Sequence, residues 1–307
     1  MTRVGSLAQS QALLAELTKA NERTFKTQVQ ISTGKEAQQY REIPSQTGAL
    51  LSAKRVQTRT EQYISAGKEL TNKLDQQNVV LEQVASTAQD LRQAILDGVS
   101  MNSGAALMEQ VESAFRNALS ALNTKFDGKY IFSGSRNDTA PVNIDQLSDL
   151  TSVGSVATIF DNDQQRQSVE IEAGHTLDYN FLADEIGTGL MDSLKRIADY
   201  NAGPNGPFGQ SLTTAQRDFL TTEANNLVTV TQDLNNLVAR NGQYSNELDA
   251  ASSRHEDTTI FIKGFISDIE DVDMAQAVTN LNQDQVVTEA TAKLLSNLQQ
   301  MSLLDFI

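Results

Sequence analysis

The two histidines are the first side chains to test for metal binding or catalysis, because the chain contains no cysteine. His175 and His255 stand about eighty positions apart, and His255-Glu256 begins like a zinc-protease motif. Such a motif needs a second histidine one helical turn later, and this sequence has none there. Since one ligand does not hold zinc, we predict no metal site.

Four other polar segments begin like binding or catalytic motifs and then lack essential parts. Thr33–Lys35 resembles the end of a phosphate-binding loop. The upstream glycine of such a loop and the Ser or Thr after its lysine are absent here, so we predict that the segment ends a helix and that the lysine is solvated. Asp161–Asp163 begins like a calcium loop without its glycine and closing glutamate, which predicts a polar hairpin turn. The acidic residues of Asp268–Asp273 share one exposed helix face, and Ser133 lacks a nucleophile elbow. We therefore predict no catalytic residue, no cofactor and no enzyme activity.

Composition narrows the possible partners and favours a helical protein. Hydrophobic residues make up 39% of the chain and aromatic residues 6%, with no tryptophan, which suits thin helical seams better than a thick globular core. The net charge of −15 argues against nucleic acid and anionic membranes as partners. No apolar run reaches the roughly 18–20 residues of a membrane span, and the first ten residues do not resemble a cleaved secretory signal.

Two long proline-free segments show a coiled-coil pattern. Apolar residues recur every three, four or seven positions between Ser45 and Gly98 and again from Phe208 to the end of the chain. A helix over Leu212–Arg254 alone would be roughly 60 Å long, so its partner must be an equally long helix. The predicted seam consists of Leu70, Leu74, Leu81, Val84 and Leu91 in the N-terminal half and Leu227, Leu234, Val238 and Leu248 in the C-terminal half. Gln77 and Asn78 interrupt the seam.

The remaining segments predict shorter elements. A first helix over Thr2–Ile31 ends near Gly34, Ser45 caps the long helix, and Gly98 ends it. A third helix carries apolar positions from Leu107 to Leu122. Strands are predicted at Tyr130–Gly134, Val156–Phe160 and Val169–Ile171, the last two joined by the turn Asp161–Asp163, and a short helix at Leu190–Ile197.

The predicted fold is therefore mainly α: an elongated antiparallel coiled coil or helical bundle made by the N- and C-terminal halves, with a small β-rich central insert. We expect three domains. Residues 1–40 plus 265–307 form a terminal assembly domain, residues 41–140 plus 205–264 a helical rod domain, and residues 141–204 the outer insert.

Apolar residues near both chain ends lie outside this predicted rod. Ordering such a tail costs more backbone entropy than a few buried aliphatic side chains offset, so neighbouring copies of the chain are one way to cover it. A longer intramolecular bundle is the other, and periodicity does not separate the two. The candidate assembly interface consists of Leu7, Leu14, Leu17, Ile31, Ile262, Ile266, Ile269, Leu281, Leu294, Leu298 and Met301.

Three short segments near the chain ends carry a family resemblance. The first helix ends in Ile31–Lys35, the acidic segment Ile266–Ala275 precedes the terminal helix, and Met301–Ile307 closes the chain. In these segments and positions the sequence resembles bacterial flagellins and their hook-associated relatives. The resemblance covers roughly residues 1–135 and 210–307.

The segment after the third helix resembles one branch of that family. Gly128–Gly134, continuing to Ala140-Pro141, is similar to the hook–filament junction members, whereas filament flagellins usually carry an asparagine-rich segment there. Ile171–Thr176 and Thr33–Lys35 resemble the same branch. The resemblance implies a structural subunit that joins hook and filament by helical polymerisation. A filament flagellin is the alternative, and a surface-binding module acting through the central insert is a further one.

The resemblance also implies partners and a location. Family members are exported unfolded through the flagellar type III system, without a cleaved signal, and act in the extracellular flagellum. Their terminal segments become helical inside the axial structure, against copies of the same chain and neighbouring hook, junction and flagellin subunits. An export chaperone is expected at the C-terminal helix, where Leu281, Leu294, Leu298 and Met301 are the candidate contacts.

Overall fold

A computed structural model describes the backbone of residues 2–304 and the side chains of residues 8–297. The mainly α fold predicted from the sequence is confirmed. The helices are α1 (Thr2–Thr33), α2 (Pro44–Met101), α3 (Leu107–Leu122), α4 (Leu147–Ser152), α5 (Ala183–Ala202), α6 (Thr214–Glu270) and α7 (Met274–Leu304). The strands are β1 (Lys125–Phe126), β2 (Lys129–Tyr130), β3 (Ser168–Glu172) and β4 (His175–Asp178), with 3₁₀ turns at Tyr40–Glu42 and Val156–Ile159.

The chain folds into two compact units. The first, here called the terminal unit, contains the two ends of the chain, up to Thr60 and from Asp257 onward. The second, here called the central unit, is Glu61–Glu256. Within the described ranges, every helix is too short or too polar to cross a bilayer.

Two helix boundaries differ from the sequence-based prediction. The long helix α2 begins at Pro44, so Ser45 lies in its first turn instead of capping it. Proline suits the first helical position because the N–H that it lacks has no partner there. The same helix passes through Gly98 to Met101 and ends where Asn102 takes a left-handed backbone (φ 53°), a conformation that asparagine tolerates. By contrast, α1 does end at Gly34, whose φ is +69°.

In the central unit, α2 and α6 run antiparallel. The Asn241 Nδ2 donates to the Leu74 carbonyl over 2.9 Å, and farther along the pair the Arg217 Nη1 donates to Asn102 Oδ1 over 3.2 Å. The predicted seam residues are distributed over two apolar clusters. Leu81, Val84, Leu91, Leu227 and Leu234 are buried in the larger cluster, with Val238 packed against it, and Leu70, Leu74 and Leu248 are buried in the smaller one.

Polar side chains interrupt this seam on both helices. Gln77 on α2 is only 2% exposed and Asn241 on α6 only 1%, whereas the neighbouring Asn78 is half-buried and donates to Glu82 Oε1 over 2.8 Å. A buried polar residue such as Asn241 favours one register of a helix pair, because sliding the helices would break its hydrogen bond to the Leu74 carbonyl.

The strands of the central insert lie at partly different positions from those that the sequence predicts. Val156–Ile159 forms a 3₁₀ turn, not a strand, with Val156 and Ile159 buried. Residues three apart lie on one side of such a turn, whereas in a strand they would face opposite sides. The partner of β3 is instead β4, and Gly174 (φ +77°) occupies the turn between them.

Asp161–Asp163 therefore does not close a hairpin. Its Asp163 carboxylate accepts hydrogen bonds from Ser135, including the Ser135 N–H at 3.0 Å, and so ties two loops together. The short helix predicted at residues 190–197 is part of the longer helix α5, which packs on α3. Arg196 on α5 also makes an ion pair with the buried Glu223 on α6 at 2.8 Å.

Replacing Val80 with alanine is expected to destabilise the central unit. Val80 is 2% exposed and its neighbour Val79 is 56% exposed, so Val79→Ala is a control with the same chemical change and the same gain in helix propensity. Val80→Ala should lower the free energy of unfolding by about 1.5–3 kcal/mol relative to this control. Denaturant unfolding followed by tyrosine fluorescence measures it, and equal values for the two variants would contradict the packing described here.

Candidate assembly surface

In the terminal unit, α1 and α7 pair antiparallel through small side chains. The residues buried along this contact are Ala20 and Thr27 on α1 and Ala277 and Thr291 on α7. An ion pair crosses the two helices, with Arg23 Nε 2.9 Å from Asp284 Oδ1. Small residues allow close approach of the helices, but they remove little apolar area from water.

The candidate interface residues differ in exposure. Ile269 is buried, Leu17, Ile31, Ile262, Ile266 and Leu281 are half-buried, and Leu14 and Leu294 are exposed. The side chains of Leu7, Leu298 and Met301 lie outside the described residues. Some positions chosen from periodicity therefore contribute to contacts within the chain, and others are free for contacts outside it.

The large hydrophobic side chains that remain exposed are concentrated in the terminal unit. Among the side chains of residues 8–297, all but two of them belong to it, although it is the smaller of the two units; the exceptions are Val79 and Met101. Those in the terminal unit are Leu14, Phe25, Tyr40, Leu51, Ile260, Phe261, Phe265, Met274, Val278, Val286, Val287 and Leu294. Phe25, Ile260 and Phe261 are each about 70% exposed. Concentration of exposed apolar side chains in one region is typical of a protein interface.

On α7 these exposed side chains point in several directions. With about 100° between successive residues, the buried Ala277 and Thr291 define one face. Val278 lies about 120° to one side of that face, Leu294 about 80° to the other, and Val286 almost opposite. A helix with apolar side chains around most of its circumference is normally surrounded by protein.

Sequence reasoning missed Phe25, Ile260, Phe261, Phe265 and Val286 as interface candidates. It looked for a single stripe with a spacing of three or four, and Ile260, Phe261 and Val286 lie off that stripe. Phe25 and Phe265 lie close to it, eleven residues after Leu14 and three after Ile262, but were not selected. The available signal was the presence of large apolar residues at positions that an amphipathic helix would give to polar ones.

Charged residues, like exposed apolar side chains, are distributed unevenly between the two units. Residues 1–60 hold nine Lys or Arg and four Asp or Glu, and residues 257–307 hold two and eight. The terminal unit is thus almost neutral, and nearly all of the net charge of −15 belongs to the central unit. Copies of the terminal unit would approach one another with little electrostatic repulsion.

A backbone bridge joins the ends of α1 and α6 within the terminal unit. The Glu36 N–H donates to the Glu270 carbonyl over 2.7 Å, and the Val272 N–H donates to the Gly34 carbonyl over 3.0 Å. Lys35 therefore lies opposite Asp271, as in a minimal antiparallel pair of strands.

Ion pairs reinforce this bridge, and we call the four residues involved the clamp: Lys35, Lys54, Glu270 and Asp271. Lys35 Nζ lies 2.6 Å from Asp271 Oδ1 and 3.3 Å from Glu270 Oε2, and Lys54 contacts the other oxygen of Glu270. Lys35 and Asp271 stay about half exposed but are paired, which the prediction of a solvated lysine and a solvated acidic face did not include, and that prediction is wrong for Glu270, whose side chain is only 18% exposed. Sequence spacing did not reveal the pairing because the partners lie more than 200 positions apart.

The clamp shifts the ionisation of its members. Hydrogen bonds to Asp271 and Glu270 raise the pKa of Lys35 and Lys54 respectively, despite partial burial. Hydrogen bonds from Lys35 and Ser267 lower the pKa of Asp271. Burial alone would raise the pKa of Glu270, but hydrogen bonds from Lys54 and Lys35 outweigh it and lower the pKa.

The histidines lie in the central unit and have structural contacts. His255 Nε2 is 2.7 Å from the Ile171 carbonyl, and its ring stacks on Tyr63 at 5.0 Å, while His175 Nε2 is 2.8 Å from Glu247 Oε1. Across the described residues, three or more His, Asp or Glu side chains nowhere converge as metal ligands. The candidate functional site is thus the exposed apolar surface of the terminal unit.

Acid is expected to weaken the clamp. Because the pKa of Asp271 is lower in the folded chain, its contribution to stability is present above the ordinary value near 4 and is lost as pH falls through the lowered value. The raised pKa of Lys35 has the opposite sense: its contribution is present below about 10.4 and is lost as pH rises through the raised value. The lowered pKa of Glu270 has the same consequence as that of Asp271, and the raised pKa of Lys54 the same consequence as that of Lys35. The Lys54 Nζ also lies 5.8 Å from the centre of the Tyr40 ring.

Titration of the Asp271 carboxyl carbon by NMR checks this expectation. Its midpoint should move to higher pH in Lys35→Met, because the lysine that favours the ionised form is gone. An unchanged midpoint would contradict the pairing.

Comparison with known proteins identifies the family. The family model for the bacterial flagellin N-terminal helical region matches residues 4–137, and the model for the C-terminal helical region matches residues 224–307. The flagellar hook-associated protein 3 of Escherichia coli (strain K12) is 26% identical over 298 residues, which cover 89% of this chain and 90% of that protein.

Solved structures show the same fold at lower identity. FlgL of Xanthomonas campestris matches with a TM-score of 0.57 and 14% identity, over 70% of this chain and 100% of that one. FlgL of Bacillus cereus matches with a TM-score of 0.54 and 13% identity, over 71% and 99%. A structure from Vibrio parahaemolyticus, described as flagellar hook-associated, matches with a TM-score of 0.61 and 18% identity, over 75% and 100%. With flagellin models matching both ends and together covering more than two thirds of its length, this chain belongs to the bacterial flagellin family.

Proposed function

We propose that this chain is a structural subunit of the bacterial flagellum that joins hook and filament, and that it assembles through its terminal unit. The observation that carries the proposal is the concentration of exposed apolar side chains on that unit. Burying them against copies of the chain and neighbouring axial subunits would remove them from water. The near-neutral charge of the unit supports such crowding.

The junction role is supported by the relatives. The curated relative is named hook-associated protein 3, and two of the matching structures are named FlgL. The segment Gly128–Gly134 supports the same role, since the asparagine-rich segment usual in filament flagellins is absent from the sequence there. A filament flagellin remains the second candidate, because both flagellin models match this chain.

The proposal places the working protein outside the cell, in the flagellum, after export without a cleaved signal. It also includes an export chaperone that covers α7 before export, since Met274, Val278 and Val286 are exposed on that helix and apolar. We also propose that the chain has no enzyme activity.

Immunogold electron microscopy with antibody raised against the chain tests the junction role. We expect gold in a narrow band between hook and filament, because a junction protein occupies only that position. Cells lacking the chain should carry bare hooks and release unpolymerised flagellin into the medium.

Labelling along the whole filament, with no other flagellin in the medium of the deletion strain, would replace the junction role with the filament role. Filaments of normal length in the deletion strain, with no label on any flagellum, would overturn both roles.

A matched pair of valine variants tests the assembly surface. Val286 in the terminal unit is 65% exposed and Val79 in the central unit 56% exposed, and both lie in helices. Either change to threonine should alter stability by no more than about 0.5 kcal/mol, since both side chains are on the surface. Val286→Thr should reduce the fraction of hooks that carry the protein, whereas Val79→Thr should not.

Assembly of the two variants is scored by counting labelled hooks, and co-purification with the chaperone provides a second readout. Equal assembly of the two variants would contradict the proposed surface, and equal co-purification would contradict a chaperone on α7.

A further inference from the structure

We infer that the clamp residues Lys35, Lys54, Glu270 and Asp271 are positioning residues for assembly: they fix the register of α1 against α7, so that the exposed apolar side chains of the two helices take defined positions relative to one another. This inference rests on the proposed function and adds to it the residues that align the surface. Its starting point is the connection between the helices of the terminal unit.

The two connections differ greatly in length. Ten residues link Thr33 at the end of α1 to Pro44 at the start of α2, whereas only Asp271–Asp273 link α6 to α7. A flexible link of ten residues would by itself allow α1 many positions relative to α2. The clamp removes this freedom at the first residues of the link, where the Gly34 carbonyl accepts from Val272 in the short connection and the Glu36 N–H donates to Glu270 at the end of α6.

The three residues of the short connection make three kinds of contact. The Asp271 N–H donates to the Ser267 carbonyl over 2.8 Å and completes the last turn of α6. The Asp271 carboxylate holds Lys35 at 2.6 Å. The Asp273 Oδ1 accepts from the backbone N–H groups of Ala275 and Gln276 at 2.9 and 3.1 Å and so caps the start of α7. A shift of Lys35 would therefore move α1 relative to the first turn of α7.

The contact between α1 and α7 does little to set this register. Its buried side chains are Ala20, Thr27, Ala277 and Thr291, which are too small to interlock as leucine or isoleucine would. Arg23 and Asp284 form one ion pair across it, with the Arg23 side chain half exposed and Asp284 mostly buried, and a single pair with an exposed member contributes little. At the clamp, by contrast, two backbone hydrogen bonds coincide with three ion pairs, so the clamp carries most of the polar contacts that distinguish one register from another.

Burial makes Glu270 the anchor of the clamp. Its side chain is 18% exposed, and both carboxylate oxygens are occupied, one by Lys35 and one by Lys54. Lys35 comes from the link after α1, Lys54 from α2, and Glu270 from the end of α6. Three separate segments of the terminal unit therefore meet at one carboxylate.

A charge swap in the full-length chain tests the inference. Lys35→Glu places a third carboxylate beside Glu270 and Asp271, and Asp271→Lys places a third ammonium beside Lys35 and Lys54. Each single variant should lower the fraction of labelled hooks about fivefold or more, since like charges replace opposite ones. The double variant Lys35→Glu/Asp271→Lys restores an opposite pair and should recover to within about twofold of the parent.

Two controls separate positioning from folding and from the proposed function. Arg59→Glu reverses an exposed arginine of the same unit and should assemble like the parent. Backbone amide exchange at Glu36 and Val272 reports the clamp directly: protection should fall in both single variants and return in the double variant.

Parent-like assembly of both single variants, or a double variant as defective as either single one, would overturn the inference. If Val286→Thr is still impaired in that case, the assembly surface stands and only the positioning role fails. If no variant, including Val286→Thr, affects assembly, the proposed function fails with it.

Discussion

The shortage of large buried side chains between α1 and α7 is the constraint on which the properties of the terminal unit depend. Alanine and threonine at positions 20, 27, 277 and 291 let the two helices approach closely, yet each contributes only a small area to the contact. Leu17, Ile31 and Leu281 are only half-buried, and other large apolar residues of the two helices, such as Phe25 and Val286, are exposed to solvent. A pair of helices in this condition gains stability whenever other protein surfaces cover it, and this links the packing of the chain ends directly to assembly.

The central unit shows the opposite balance. Residues from α2, α3, α5 and α6 form its larger cluster, and aromatic residues such as Phe115, Phe132 and Phe181 fill it almost without exposure. Its polar interior contacts, such as Arg196 with Glu223, hold particular helices together and favour one arrangement over its alternatives. This unit carries most of the negative charge, which favours hydration of its surface. One chain thus combines a self-sufficient core with a neutral, apolar unit whose surface is suited to other subunits.

Ion pairs of modest individual strength acquire importance where packing does not define a register. Exposed pairs generally contribute little to stability, and the Lys35–Asp271 pair is about half exposed on both sides. Its position is what matters, because it coincides with two backbone hydrogen bonds and with the turn that starts α7. The clamp contributes more through the alignment of the helices than through the free energy of unfolding.

Helix periodicity and composition by themselves determined the mainly α class, the end of α1 at Gly34 and the seam positions that are buried in the central unit, because these depend on local spacing and on glycine's left-handed backbone. They did not determine the partner of β3, the turn at Val156–Ile159 or the pairing of Lys35 with Asp271. Short apolar runs fit a strand and a helical turn equally well, and an ion pair between residues more than 200 positions apart leaves no local pattern. Tertiary structure also decided which apolar residues of the chain ends are exposed. A helix with hydrophobic residues on several sides can bury only one side against a single partner helix. Which side is buried depends on where the partner helix lies.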